Sequence, residues 1–430
     1  MNGMAKGSLQ SQDSTYSGNN TTPLIIVTIL FFMWGLLTSL NDVLIPHLKS
    51  VYTLTYVQAM LVQFCFFSAY FIVSIPAGLL IKKIGYQSGA VTGLIIAASG
   101  CALFYPAATN GYWVFLIALF ILASGITILQ VAANPYVTVL GAEKTASSRL
   151  TLTQAFNSLG TAVGPYFGGL LILGGAVLTA EQLNLLPAAE QLAYRAQEAA
   201  SVQIPYLGLA AALLGLALFF ALAKLPKIEH SDIATQLEGR TLLSHKSLVL
   251  GAVGIFLYVG AEVSIGSFMI SFIGEAHIGN LKPADAAHFV AYYWTGAMIG
   301  RFIGFAVMRV VSPGKALAFN SAAAIALILT AVFGSGSTAM WAIIAVGLFN
   351  SIMFPTIFSM ALHHLGKFTG QGSGVLCMAI VGGAIVPFVQ GFLADNINVQ
   401  MSFLLPAACY LFILFFGLKY KNLNTSETAK

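Results

Sequence analysis

The sequence predicts an all-α membrane protein with twelve transmembrane helices, arranged as two pseudo-symmetric halves of six helices each. Three observations lead to this fold class. The composition is too apolar for a surface that faces water, the chain contains a series of apolar segments long enough to cross a bilayer, and similar landmarks recur in its two halves.

The composition excludes most soluble classes of protein. Of the 430 residues, 58% are hydrophobic and only 8% are charged, and the mean hydropathy is +0.86. A soluble domain has about 25% charged residues, so most of this surface is expected to face lipid. The net charge of +5 comes without a basic run interleaved with aromatic residues. We therefore expect no nucleic-acid partner.

The apolar segments predict the spans and the domain organisation. A transmembrane helix needs about 20 apolar residues, and such segments lie at about 24–46, 58–81, 86–107, 112–140, 150–176, 202–225, 246–274, 284–308, 314–334, 338–362, 370–393 and 400–419. Residues 1–23 are polar and lack the features of a signal peptide, which indicates a disordered cytoplasmic tail. The charged residues 226–245 read as a cytoplasmic linker between the halves 24–225 and 246–420, and residues 421–430 as a second cytoplasmic tail.

The distribution of basic residues predicts the orientation. With both termini inside, fifteen of the 19 Lys and Arg residues fall on the cytoplasmic side, and three, Lys49, Arg195 and Lys282, fall outside, while Arg301 lies within a span. Cytoplasmic loops of membrane proteins carry an excess of Lys and Arg. We therefore expect cytoplasmic termini and a location in the bacterial inner membrane.

The two halves echo each other, and this repeat indicates transport. Asn134-Pro135 is followed about thirty residues later by Gly164-Pro165, and Phe354-Pro355 is followed after a similar distance by Val386-Pro387. Such repeats are typical of transporters that work by alternating access. No Walker A, HExxH or GxSxG motif is present, so we expect neither an enzyme nor a cofactor. Uphill transport would then draw on an ion gradient.

Polar residues inside the first-half spans predict a sugar site. Trp34, Thr38 and Asp42 follow i, i+4, i+8 spacing with Asn41 adjoining, which gives one helix face an aromatic platform and hydrogen-bonding groups. Substrate contacts are also predicted for three amide side chains on the fourth and fifth spans, Gln130, Gln154 and Asn157, because amides both donate and accept hydrogen bonds. The alternative is that such amides tie helices together, which is the interpretation favoured for Asn134.

The second half supplies candidates for ion coupling. Glu262 lies one turn after Tyr258 in a run rich in Gly and Ser, and a charge at the centre of a membrane costs about 2.5–3.5 kcal/mol on insertion scales. We predict that Asp42 and Glu262 handle the coupling cation. Tyr292 and Asn350 are predicted to complete the substrate site, and Arg301 is as consistent with a gate or an interfacial anchor as with a site residue.

Several of these motifs resemble the fucose/galactose/glucose–cation symporter family of the major facilitator superfamily. The resemblance covers about residues 24–420 and is carried by Leu40-Asn41-Asp42, Ile75-Pro76-Ala77-Gly78, the run from Ala132 to Gly141, Gln154-Ala155-Phe156-Asn157-Ser158 and the run from Phe354 to Ser359. It implies the twelve-helix fold and monosaccharide uptake. Asp42 matches a carboxylate of the fucose–proton branch, but Gln130 stands where that branch has its second carboxylate, and Glu262 stands where it usually has an amide. These departures are similar to the glucose/galactose branch, some members of which use sodium.

The sequence therefore predicts a monomeric secondary transporter in the lipid bilayer that imports a hexose such as glucose, galactose or mannose by symport with a cation. Sodium is favoured over a proton, with Asp42 and Glu262 as its tentative ligands, because two carboxylates and nearby hydroxyls suit a hard cation. The alternatives are a proton-coupled fucose-type symporter, a multidrug–proton antiporter on the same fold, and a nutrient sensor that does not transport.

Overall fold

The computed structural model describes residues 21–52, 56–171, 185–187, 190–191, 193–194, 203–226 and 242–422. Most of the predicted N-terminal tail, most of the linker 226–245 and nearly all of the predicted C-terminal tail lie outside these residues. The predictions for those segments remain predictions.

Twelve helical spans make up the part of the chain that the structure describes, as the sequence predicts. They are α1 (Thr21–Tyr52), α2 (Tyr56–Ile84), α3 (Tyr86–Asn110), α4 (Tyr112–Val139), α5 (Ala146–Leu171), α6 (Gln203–Leu222), α7 (Lys246–Gly274), α8 (Pro283–Val307), α9 (Pro313–Phe333), α10 (Gly336–Leu362), α11 (Gly366–Asn396) and α12 (Val399–Lys419). Helix α10 is interrupted between Asn350 and Met353, and α11 contains a 3₁₀ turn at Ala379–Val381.

Ten of these spans contain a stretch that is long and apolar enough to cross a membrane by composition alone. The other two, α5 and α8, are more polar, and they pack against each other. Helix α5 carries buried Ser, Thr and Gln side chains along its first half. A polar transmembrane helix normally faces the interior of the bundle or a water-filled cavity. The two spans with the weakest hydropathy signal thus lie at the contact between the halves.

The helices form two six-helix groups. In the first, α3 packs against α4 and α6, α1 against α5, and α2 against α4; in the second, α9 packs against α10 and α12, α8 against α10, and α7 against α11 and α12. The groups meet where α2 and α4 contact α11, and where α5 contacts α8 and α10.

The contact between α1 and α5 is unusually close because each helix places a glycine against the other's backbone. A Cβ atom on Gly35 would lie 2.1 Å from the carbonyl oxygen of Asn157, and one on Gly160 would lie 2.2 Å from that of Phe32. No larger residue fits at either position without moving a helix. These glycines fix the distance between α1 and α5, two of the three first-half helices that carry predicted site residues.

Candidate functional site

The first-half amides lie on α4 and α5, and each is hydrogen-bonded to a neighbouring helix. Gln130 Nε2 donates to the Tyr70 hydroxyl of α2 at 2.8 Å. Gln154 Nε2 donates to Asn134 Oδ1 at 3.2 Å, so these two residues join α5 to α4. Asn157 Nδ2 donates to the Phe31 carbonyl of α1 at 2.9 Å. Each amide group still has donors or acceptors left over after these bonds.

All three predicted substrate ligands, and Asn134, therefore form hydrogen bonds that connect neighbouring helices. The Nδ2 of Asn134 is buried with no hydrogen-bond partner among the described residues. A buried amide donor without a partner costs about 1–3 kcal/mol. The Gln154–Asn134 pair therefore has unused hydrogen-bonding capacity, while the contact of any of these amides with a substrate stays a prediction.

Trp34 and Thr38 lie on α1, in the interior of the first half. Trp34 is 7% exposed and packs edge to face on Phe31, with ring centroids 5.4 Å apart. Both residues line a small cavity of about 20 Å³ whose other lining side chains are apolar and come from α1, α3, α4 and α6. The Thr38 hydroxyl donates to the Trp34 carbonyl at 3.0 Å. No amide side chain of α4 or α5 is among the residues that line this cavity.

Asn41 and Asp42 follow on the same helix, within α1. Their side chains lie outside the described part of the chain. Helix α1 runs on to Tyr52, so Asp42 is not at the end of the helix. Its predicted role in coupling remains a prediction.

A buried polar cluster in the second half joins α7, α8, α10 and α12. Glu262 Oε1 accepts a hydrogen bond from the Tyr258 hydroxyl at 2.7 Å, and that hydroxyl also lies 3.1 Å from the Asn350 carbonyl oxygen. The Asn350 side chain is bonded through Nδ2 to the Tyr293 hydroxyl and through Oδ1 to the Tyr410 hydroxyl, the latter at 2.6 Å. We call these five residues the tyrosine–glutamate cluster.

The cluster unites two predicted site residues, Glu262 and Asn350, and does not contain a third, Tyr292, whose contact with a substrate stays a prediction. Tyr292 is 54% exposed and stacks on Trp341, whereas its neighbour Tyr293 is fully buried in the cluster. Consecutive helical residues point about 100° apart, so the tyrosine that enters the second-half core is Tyr293. Tyr410 escaped the sequence analysis. A sequence feature that could have identified it is that Tyr410 carries the one side-chain hydroxyl in the largely apolar helix Leu404–Lys419.

Arg301 bridges the two halves. Its Nη1 donates to the Ser158 hydroxyl of α5, and its Nε donates to the Ser351 carbonyl of α10 at 3.1 Å. The Ser351 carbonyl is available because Pro355, four residues later, has no N–H to give it. Ser351 directly follows Asn350, so Arg301 lies beside the tyrosine–glutamate cluster. The sequence left three interpretations of Arg301 open, a gate, an interfacial anchor and a site residue, and a role as a gate agrees with this position but stays a prediction.

Pro135 likewise leaves a backbone carbonyl without its helical donor, and here the carbonyl accepts a hydrogen bond from the opposite half. Helix α4 continues through Pro135 to Val139, but Pro135 cannot donate to the Val131 carbonyl. Ser373 of α11 donates to that carbonyl instead, at 2.9 Å. The prolines that the sequence repeats in the two halves therefore both expose a carbonyl to a side chain from another helix.

The halves are hydrogen-bonded to each other at one end. We call it the basic end, defined by the loops α2–α3, α4–α5, α8–α9 and α10–α11 and the helix turns next to them, which carry Lys82, Lys83, Lys144, Arg309 and Lys367. Ser147 and Ser359 hydroxyls lie 2.6 Å apart, and Ser148 donates to the Phe305 carbonyl at 2.8 Å. Further hydrogen bonds join the halves, from Arg301 to Ser158, from Ser373 to the Val131 carbonyl and from the His364 N–H to Glu143. The basic end is closed.

Comparison with known proteins places these features in a family. The model of the Major Facilitator Superfamily matches residues 27–379. A glucose/galactose transporter of Brucella abortus (biovar 1, strain 9-941) is 57% identical over 398 residues, covering 92% of this chain and 93% of the relative. The L-fucose-proton symporter of Escherichia coli (strain K12) is 38% identical over 435 residues, covering 96% and 98%.

A solved structure is similar over the same range. The crystal structure of a major facilitator superfamily transporter, FucP, in the outward conformation superimposes with a TM-score of 0.86 at 36% sequence identity, and the match covers 93% of this chain and 99% of that one. The closed basic end described above is consistent with a transporter in that conformation.

Proposed function

The chain belongs to the major facilitator superfamily as a sugar transporter, and from this premise we propose that it imports a hexose such as glucose, galactose or mannose by symport with a proton. The observation that carries the proposal is the placement of its intramembrane polar residues. Amides of α4 and α5 in the first half and the tyrosine–glutamate cluster in the second form two hydrogen-bonded polar groups within the membrane-spanning helices. Relatives named glucose/galactose transporter support the hexose class.

Amide side chains suit a polyhydroxy substrate. Each hydroxyl of a sugar both donates and accepts, as do Asn and Gln, so an amide can match either face of a hydroxyl. We propose that Gln130, Gln154 and Asn157 contact the sugar through the hydrogen-bonding capacity that their helix-tying bonds leave unused, with Asn41 and Asn350 as further ligands. Trp34 and Thr38 are proposed to pack behind these ligands, inside the first half.

The coupling ion is proposed to be a proton, which revises the expectation of sodium. The relatives whose names specify an ion are L-fucose-proton symporters, and no feature of the described residues supports a sodium cage. Within those residues Glu262 has no second carboxylate beside it; its Oε1 is held by one tyrosine hydroxyl. A carboxylate held in this way can carry a proton by itself. Asp42 is the proposed second carrier.

The link between proton and conformation is proposed to run through Arg301. This residue bonds to Ser158 in the opposite half and to the carbonyl of Ser351, which directly follows Asn350 of the cluster that holds Glu262. Protonation of Glu262 removes a negative charge and so changes the force on the side chain that bridges the halves. Alternating access then requires the bonds at the basic end to break together, among them Ser147–Ser359 and Ser373–Val131.

The proposed setting follows from the same architecture. The multi-pass chain lies in the bacterial inner membrane with both termini and the linker 226–245 in the cytoplasm. Halves of one chain supply both sides of the site, so a monomer suffices. Helix α6 ends at Leu222 and α7 begins at Lys246, in keeping with the proposed boundaries of the halves, 24–225 and 246–420.

Counterflow in proteoliposomes tests the substrate class. Vesicles loaded with unlabelled sugar are diluted into a trace of labelled glucose, galactose, mannose or fucose, with empty vesicles as control. We expect transient accumulation of at least one of the three hexoses, because exchange needs only binding and alternation. Counterflow with fucose alone would replace the hexose assignment with the fucose-type alternative, and none with any sugar would refute the substrate class.

A further inference from the structure

Three potential metal ligands meet at the basic end, one from the first half and two from the second. Glu143 lies in the 3₁₀ turn Glu143–Thr145 between α4 and α5, and His363 and His364 follow the last residue of α10. Glu143 Oε1 lies 3.2 Å from His363 Nε2 and 3.6 Å from His364 Nδ1. One ligand atom from each of the three residues lies within 4.8 Å of the others.

The two distances from Glu143, 3.2 and 3.6 Å, match the spacing of ligands around a tetrahedral zinc ion. With Zn–N and Zn–O bonds of about 2.0–2.2 Å, two ligand atoms of a tetrahedral site lie about 3.3–3.6 Å apart. A set of two imidazoles and one carboxylate, with a fourth position for water, is an established zinc-binding combination. Imidazole nitrogen also selects transition metals over Mg²⁺ and Ca²⁺, which prefer oxygen ligands.

The surroundings leave room and access for an ion. A cavity of about 230 Å³ adjoins the cluster and is lined by Glu143 and His363 together with Thr138, Ser147 and Ser359. A water molecule occupies about 30 Å³ in the liquid, so a metal ion with its remaining water fits. The side chains of Glu143 and His364 are 50% and 75% exposed, which opens the cluster to solvent at the basic end.

We propose that Glu143, His363 and His364 form a binding site for a divalent transition metal, with Zn²⁺ preferred, and that the bound ion holds the basic end closed. The ligands come from opposite halves, so the complete set exists only while the α4–α5 and α10–α11 loops meet. A ligand that binds one conformation raises the population of that conformation. Zn²⁺ on this side therefore inhibits transport by retaining the outward conformation.

Metal binding by the purified full-length protein in detergent is the first test. After treatment with a chelator, the protein is titrated with Zn²⁺ by calorimetry, with Mg²⁺ as a comparison ion. We expect one saturable Zn²⁺ site that Glu143→Gln and His364→Ala each weaken at least about tenfold, since even loss of an outer-shell partner of a metal costs about 10–100-fold. His277→Ala removes an exposed histidine bonded to Gln400 at the other end, and this matched control should bind as wild type.

The result that overturns the site is the absence of saturable Zn²⁺ binding, or equal affinity in wild type and His364→Ala. This measurement uses no sugar, so its outcome is independent of the proposed hexose–proton symport. The second test is galactose or glucose uptake by proteoliposomes with Zn²⁺ on the side of the basic end. We expect inhibition in wild type and His277→Ala that Glu143→Gln relieves. Intact binding without any inhibition would overturn the closing role of the ion.

Discussion

Glu262 is a carboxylate within a membrane-spanning helix, where a charge costs about 2.5–3.5 kcal/mol on insertion scales. The tyrosine–glutamate cluster offsets part of this cost, because the Tyr258 hydroxyl donates to Glu262 and is itself held beside the Asn350 carbonyl. Two further tyrosines fix the Asn350 side chain. The carboxylate therefore has a defined position, and our proposal is that Arg301 responds to its protonation.

Glu262→Gln should separate coupling from exchange. Glutamine keeps the size and the hydrogen-bond acceptor of the side chain but cannot exchange a proton. We expect sugar accumulation driven by a proton gradient to be lost, while counterflow persists. Glu275→Gln, at the end of the same helix, makes the same chemical change outside the cluster and should accumulate sugar normally. Normal gradient-driven accumulation by Glu262→Gln would remove this residue from the coupling path.

Tyr410→Phe tests whether the cluster is a connected network. The substitution removes the donor to Asn350 Oδ1 and leaves that buried acceptor without its partner. Such a loss costs about 1–3 kcal/mol, so the midpoint of thermal unfolding in detergent should fall. Tyr420→Phe, near the end of α12, is the control with an unchanged midpoint expected. Equal midpoints for wild type and Tyr410→Phe would show that the bond contributes nothing to stability.

At the scale of helices, proline is used repeatedly to expose a carbonyl to another helix. Besides the carbonyls freed by Pro135 and Pro355, Pro165 cannot donate to the Thr161 carbonyl, which accepts from Ser39 of α1 at 2.8 Å. Each helix continues through its proline and gains one free carbonyl acceptor at a defined position along the span. Where the donor comes from the other half, as with Ser373, the bond becomes part of the closed basic end.

A double-mutant cycle isolates this device. Ser373→Ala leaves the Val131 carbonyl buried without its donor, which costs the closed state about 1–3 kcal/mol, a shift of about 5–150-fold in the equilibrium between conformations. Pro135→Ala restores an N–H to that carbonyl, so Ser373→Ala should have a smaller effect in its presence.

The readout is the reactivity of a cysteine placed at Ala146, which is buried at the basic end, in a background without the native cysteines. Ser373→Ala should raise its rate of modification. An equal increase with and without Pro135→Ala, and hence no coupling between the two positions, would contradict the account of the freed carbonyl.

At the scale of the whole molecule, the closed basic end should be the cytoplasmic end. The positive-inside rule predicts this orientation, and exposed Lys367 and Lys282 lie in loops at opposite ends of the bundle. Lys367→Cys should react with a membrane-impermeant reagent only from inside, and Lys282→Cys only from outside. Modification of both from the same side would refute the alternating arrangement of the spans.

The sequence predicted the twelve helices well because each span must satisfy its own backbone and present an apolar surface to lipid, which are local requirements. Helix ends were less certain: α1 begins three residues earlier than predicted and continues past Pro46. Which side of a helix faces a partner depends on packing. The sequence therefore proposed Tyr292 where Tyr293 enters the core, and missed Tyr410, whose partner Asn350 is sixty residues away along the chain.

The central claim, that a hexose enters together with a proton, is tested most directly by recording pH while sugar is added. Proteoliposomes containing the full-length protein are suspended in weakly buffered, sodium-free medium, and glucose or galactose is added outside. Inward symport should raise the external pH on addition of sugar, and a protonophore should abolish the change. Sugar uptake without any change in pH, together with a requirement for sodium, would contradict the account and restore sodium as the coupling ion.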